Sequence, residues 1–299
     1  MKAGKKVITR RDFIRVGSCF TMGSLMGLPL VRSVQAKSSD KSRVVLVRDG
    51  NVIDSGGNLS PGVLEDMLDK AVTALMHTAD PVSAWAQLVK PSDVVGIKTN
   101  AWYHLPTPEQ LEAAIWMRLL DAGVKKGNVS ADDRGVLGNP VFQRATALIN
   151  VRPMRTHHWS GLGTLLKNYI MFVPSPWKYH GNACERLGAI WQLPHVAGKT
   201  RLNILVMLTP LFHGIGPHHF SRRYTWRYCG LIVSRDPVAA DATGARIIQA
   251  KRNLFFGTEK PISPPPRHIP EANVRFGLGN SQPDQIQLIR LGWQKDLLI

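Results

Sequence analysis

Cysteine is scarce in this chain, with three residues in 299. Cys19 lies near the N-terminus, which leaves Cys184 and Cys229 for the body of the protein. Two thiols cannot hold a four-cysteine iron–sulfur cluster or an all-cysteine zinc site. In an oxidising compartment they either pair or stay as two buried thiols. Acidic residues are few, 21 against 38 lysines and arginines, and the formal charge is +17. No apolar run approaches the roughly 20 residues that a membrane-spanning helix needs. A glycine-rich dinucleotide fingerprint is missing: Gly161-Leu162-Gly163 has neither the third glycine nor the downstream acid. Neither an Arg-rich helix nor an aromatic-and-basic RNA motif occurs, so nucleic acid is not an expected partner. There is no internal repeat.

What is present begins with a three-part N-terminus. Met1 to Arg11 is basic, and Thr9-Arg10-Arg11-Asp12-Phe13-Ile14-Arg15 fits a twin-arginine export pattern. A weakly apolar, Gly-, Ser- and Met-rich stretch follows from Val16 to Val31, too short to anchor well. Val34 and Ala36 supply the small residues of a cleavage site. The expectation is a signal peptide over residues 1–36 and a polar linker over 37–42. A single domain over 43–299 would then work in the periplasm or another extracytoplasmic space. The twin-arginine translocase would be a partner during export, and no stable transmembrane helix would remain after cleavage. That route carries folded passengers, often with a cofactor already inserted, which favours a metal or redox centre. Residues 1–36 hold seven bases and one acid, so the rest keeps a formal charge of +11. Such a surface attracts an acidic protein or an anionic ligand.

Beyond the N-terminus, apolar β-branched runs alternate with helix-like ones. Strands are expected at Arg43–Arg48, Asp93–Asn100, Asn128–Asp132, just before Thr156, Leu202–Leu208, Gly230–Ser234 and Gln285–Leu291. Helices are expected from Ser60-Pro61 to His77 and from Thr107-Pro108 to Ala122-Gly123. Others are expected over Pro140–Ile149, Ser160–Met171, and from Asp236-Pro237 to Lys251, with Asp236 as the cap. Lys260–Pro270 holds five prolines and reads as an extended C-terminal strap. The alternation predicts an α/β fold, with a mainly parallel sheet flanked by helices.

All ten histidines lie beyond residue 36, several of them clustered. Thr156-His157-His158-Trp159 falls at an expected strand end, ahead of Lys167 and Asn168. His213, His218 and His219 fall in a Gly-containing loop after another strand. Ligands of open α/β sheets bind beyond the carboxyl ends of strands, so both positions suit a site. Imidazole ligates zinc, copper, iron or nickel, which makes His158, His213, His218 and His219 candidate ligands for a transition metal. Otherwise these imidazoles are solvated or hydrogen-bonded loop residues. His157 and Lys167 are candidate acid–base groups. Asp241 is the third catalytic-site candidate, in the role of orienting a histidine: it sits among small residues, so burial would force a partner on it, a histidine, Arg246 or Lys167. Lys98, Asn100 and Asn168 are candidates for binding an anion or substrate, although Lys98 also reads as a solvated strand terminus.

Four segments together resemble the domain-of-unknown-function 362 family. They are Asp93–Asn100, Thr156-His157 with Leu166-Lys167-Asn168, Gly216-Pro217, and Gly230–Asp241 with its Asp-Pro-Val-Ala-Ala-Asp core. The resemblance implies an α/β domain of unsettled biochemical role. Many of that family's members carry ferredoxin-like cysteine motifs, and this chain departs from them in having none. Two functions fit these features. One is an exported metal-dependent or redox-associated protein with a His-rich site. The other is a non-enzymatic binding or assembly factor that docks an acidic partner on a basic face.

Overall fold

Buried β-branched runs set the frame. The computed structural model describes residues 41–214 and 219–299. The expected signal peptide, most of the linker, the Gly216-Pro217 pair and His218 therefore lie outside the described residues. The strands are β1 (Ser42–Arg48), β2 (Val95–Lys98), β3 (Val129–Asp132), β4 (Ala147–His157), β5 (Gly161–Gly163), β6 (Thr200–Leu211), β7 (Gly230–Ser234) and β8 (Ile286–Gly292). They form one sheet in the order β3-β2-β4-β6-β7-β1-β8, with β5 paired to β4. β3, β2, β4 and β6 run parallel, β7 reverses, and β1 and β8 run parallel to each other beyond it. The expected α/β architecture with a mostly parallel sheet is thus what the chain adopts.

Both faces of the sheet are covered, as parallel sheets require. On one face Val45, Val47, Ile97, Ile149, Ile204 and Val233 pack under α1 (Pro61–Met76), α2 (Pro81–Ala86) and α3 (Glu109–Asp121). On the other, Leu46, Leu148, Leu205 and Ile232 meet α5 (Leu165–Asn168), α6 (Pro237–Phe256) and α7 (His268–Val274). Asp236 caps α6 by accepting from the Val238 and Ala239 amides at 2.8 and 2.9 Å, with Pro237 at the first helical position. Cys184 and Cys229 are both free and buried, in the cores of opposite faces.

Three expectations need correction. The helix expected over Pro140–Ile149 is a single turn, α4 (Pro140–Gln143), and the apolar run after it joins β4. All eleven residues of β4 are buried, so it lacks the alternation that marks a half-exposed strand. The helix expected over Ser160–Met171 is a hairpin, then the one-turn α5, then a 3₁₀ turn. Gly161, in the left-handed region at φ 71°, opens β5 directly after the turn at residues 158–160, and Thr164 accepts from the Lys167 amide to start α5. The strap is extended only to Arg267, because its last residues enter α7. Arg252 of α6 ties it down by donating to the carbonyls of Lys260 and Pro261, both at 2.8 Å.

Gly161 tests how the strap seats on the hairpin. A Cβ there would run into the Pro264 carbonyl, on a backbone that alanine already disfavours. Gly161→Ala is expected to cost about 2–4 kcal/mol in denaturant unfolding. Gly127→Ala, with open space at its Cβ, should stay within about 0.5 kcal/mol of the parent. Equal effects of the two would show that the contact is unimportant.

Candidate active site at the carboxyl edge of the sheet

β2 and β4 are neighbours, but their chains leave in opposite directions. From β2 the chain goes outward to β3, and from β4 it goes the other way to β6. Such a switch point opens a crevice beyond the strand ends. Only Ala147–Asn150 of β4 pair with β2, so Val151–His157 run on past Lys98 as one wall of the crevice. Across the sheet, Asp132, Lys98, Asn150, Asn203 and Ser234 lie in register on adjacent strands.

That row anchors a buried polar network. Asn168 of α5 donates to the Asn150 side chain at 2.9 Å and to the carbonyls of Lys98 and Val151, both at 3.1 Å. Asn150 donates to Asn203 at 3.1 Å, and Asn203 donates to the Arg235 carbonyl at 3.2 Å. Lys98 donates to Asp133 at 2.6 Å and to the Thr99 carbonyl at 2.7 Å. Asp133 also accepts from the Ala101 amide at 2.9 Å.

A cavity of about 320 Å³ opens above this floor. Arg152, Arg155, His157, Lys167, Trp102 and His180 are among its lining residues. Lys98, Arg152, Arg155 and Lys167 are each at most 5% exposed. Of these four, only Lys98 has an ion-pair partner among the described residues. Arg155 lies 4.3 Å from the Trp102 ring centre and donates to the Asn100 side chain at 2.8 Å. The Nε atoms of Arg152 and Arg155 are buried and meet no acceptor among the described residues. Gly163 makes room for Arg152, since a Cβ there would lie 2.9 Å from the guanidinium.

Burial moves the protonation of these groups in one direction. It lowers Lys98 to about 8 against the pull of Asp133. It lowers Lys167 to about 8 and Arg152 to about 10. Arg155 falls well below its ordinary value through burial and the neighbouring Arg152. For Asp133, burial pushes up, but the Lys98 charge and hydrogen bonds prevail and hold it below the usual range. His157 drops far below its usual value through burial and then the charges of Lys167, Arg152 and Arg155. It is therefore a neutral imidazole. Its Nδ1 accepts from the Trp159 amide at 3.2 Å, which leaves the ring proton on Nε2.

Asp241 lies beneath the cavity rather than in it. It accepts from the amides of Leu165 and Leu166, both at 2.9 Å, and so fixes the start of α5, the turn that presents Lys167 and Asn168. Burial raises it to about 7, against the help of those two amides. It makes no hydrogen bond with a histidine, Arg246 or Lys167 among the described residues, and the partner expected from the sequence is replaced by backbone.

The sequence candidates therefore divide. Lys98, Asn100, His157, Lys167 and Asn168 gather at one site. His158 stacks on His157 with ring centres 4.8 Å apart and meets the Trp159 ring at 4.1 Å in a tilted contact. His213 and the exposed His219 line a separate cavity, where His213 Nδ1 accepts from Arg252 at 3.1 Å. Among the described residues no three His, Cys, Asp or Glu side chains group as metal ligands do. Sequence reasoning missed Arg152, Arg155, Asp133, Trp102 and His180. Two arginines inside Ala-Leu-Ile-Asn-Val-Arg-Pro-Met-Arg were the available signal, because a run that apolar rarely carries bases without a use for them.

Two measurements check this assignment. Asp241→Ala leaves two buried amides without an acceptor and should cost about 2–4 kcal/mol in unfolding free energy; a loss under about 0.5 kcal/mol would refute its role in holding α5. The second is pH dependence without ligand. Lys98 and Lys167 titrate near 8 when folded against 10.5 as the ordinary value, so above pH 8 the unfolded chain binds more protons. Stability should rise from about pH 8 to pH 9, above which the raised thiols of Cys184 and Cys229 oppose it. Lys167→Met should flatten that rise, and an unchanged slope would place Lys167 in water.

No curated protein and no solved structure matches the chain. Residues 126–246, from the turn before β3 into α6, match the family model described as Domain of unknown function (DUF362). The matched span contains Arg152, Arg155, His157, Lys167 and Asp241 but not Lys98, and over that span the chain is similar to this family of unassigned function.

Proposed function

We propose that this is an exported protein that binds a small organic anion in the cavity at the carboxyl edge of β2 and β4. The observation that carries the reading is the pair of buried guanidiniums, Arg152 and Arg155, each with a free Nε and no ion-pair partner among the described residues. A buried charge without a partner is costly, and a carboxylate or phosphate group would relieve that cost with charge-assisted hydrogen bonds. Guanidinium suits planar two-oxygen recognition better than ammonium does. The cavity volume falls within the range of small-ligand sites. The basic chain beyond residue 36 supports an anionic ligand as well, by drawing it toward the protein. The N-terminal Arg-Arg pattern supports work outside the cytoplasm. This reading gives the leading role to guanidinium and amine groups rather than to a metal held by the histidine loops.

Arg152→Met tests it through two readouts that move in opposite directions. Affinity for a small carboxylate or phosphate, measured by calorimetry, should fall about 10- to 100-fold, the worth of one hydrogen bond to a charged group. Stability without ligand should rise by about 1–3 kcal/mol, because an uncompensated buried cation is gone. A variant that loses stability and keeps affinity would make Arg152 a structural residue and refute the proposal. Binding inside the cavity should also survive high salt, whereas an acidic partner docked on an exposed basic face would be released.

A further inference from the structure

The two buried lysines of the site are not equivalent. Lys98 Nζ is held by Asp133 at 2.6 Å, by the Thr99 carbonyl at 2.7 Å and by Asn168 at 3.4 Å. Those contacts use its three protons and neutralise its charge. Lys167 is equally buried, at 3% exposure, yet its amine has one side-chain partner, the Cys184 sulfur at 3.7 Å. No carboxylate pairs with it among the described residues. Its backbone is fixed by Thr164 and by the two amides next to it that Asp241 holds. It lines the same cavity as the two arginines with free donors and the neutral His157. An anchored amine without a carboxylate, facing anion-binding guanidiniums, is the arrangement of a nucleophilic lysine.

We propose that Lys167 forms an imine with the carbonyl of a 2-oxo acid whose carboxylate is held by Arg152 and Arg155. The inference rests on the anion-binding reading above and adds the reacting group and the substrate class. The uncharged amine attacks the carbonyl carbon, a C–N bond forms, and the carbonyl π electrons become an alkoxide. The proton released from nitrogen goes to that oxygen, giving a carbinolamine. A second proton, the one the lysine ammonium gave up before attack, converts the hydroxyl to departing water as the nitrogen lone pair closes the C=N bond. Overall, an ammonium and a ketone give an iminium and water, with charge conserved and no oxidant or reductant. Burial, and after it the charges of Arg152 and Arg155, lowers the amine to about 8, so that a fraction of it is uncharged near neutral pH.

The test uses the purified protein with pyruvate and, in parallel, 2-oxoglutarate, each with and without borohydride, read by intact mass and peptide mapping. One reduced adduct per chain is expected on Lys167, with Lys98 and the surface lysines at the level of a chain unfolded before treatment. Lys167→Arg should lose the adduct and still bind the 2-oxo acid by calorimetry, since its charge remains. Binding of both acids without an adduct on Lys167 would overturn the imine and leave the anion site standing. Failure of both acids to bind or be trapped would overturn this substrate class, and the Arg152→Met comparison with phosphate and simple carboxylates then decides the anion site on its own. Trapping spread evenly over the lysines would also refute the proposal.

Discussion

The structure depends on buried positive charge that the carboxylates among the described residues do not balance. Lys98, Arg152, Arg155 and Lys167 are withdrawn from water at one end of the sheet. Asp133 serves Lys98, and Asp241 is occupied with backbone amides. Desolvating a cation costs several kcal/mol even after relaxation. A fold tolerates that only when the rest of the core is stable enough to hold the groups in place. Here the covered eight-stranded sheet supplies that support, and burial lowers the protonation of Lys98, Lys167 and Arg152.

Several features have their reason in that charge. β4 runs past β2, which gives Arg152, Arg155 and His157 a wall to stand on. The chain crosses over on both sides of that pair, so the space above the Lys98 row stays open. The asparagine chain from Asn168 through Asn150 to Asn203 joins α5 to the middle of the sheet with neutral groups, which add no further charge to desolvate. Asp241 couples α6 to α5 by hydrogen bonds to backbone, so the position of Lys167 is set by a helix 20 residues long rather than by its own single turn. Gly163 is small where Arg152 needs space.

The sequence made part of this legible. The mostly parallel sheet followed from alternating apolar and helical runs, and Asp236-Pro237 marked the start of α6 without ambiguity. Lys98, His157 and Lys167, which the structure places together at the crevice, drew attention in the sequence because strand ends in α/β folds collect ligands. β4 was not found at full length because a strand buried on both faces shows no period of two. That one omission hid both arginines. The segment Ser160–Met171 read as one helix, whereas the two glycines and Thr164 decided the local structure. The small residues around Asp241 raised the question of its burial, but no pattern in one chain could say that its partners are the amides of a turn 75 and 76 residues away.

The contrast between Lys98 and Lys167 shows how one environment yields two roles. Both amines are lowered to about 8, and burial is the leading cause in each. For Lys98 the opposing pull is a carboxylate at 2.6 Å, so its electron pair is committed to a proton that Asp133 helps to retain. For Lys167 the opposing pull is a thiol at 3.7 Å whose own ionisation is suppressed by burial, and a neutral thiol holds an ammonium weakly. Equal protonation therefore does not mean equal reactivity. The lysine that is bound on all sides organises Asp133, Thr99 and Asn168 as a floor, and Lys167, with no counter-ion among the described residues, is held to its proton less firmly. The same argument ranks the arginines: Arg155 has already spent one face on Trp102 and one donor on Asn100, while Arg152 retains the larger unused hydrogen-bonding capacity.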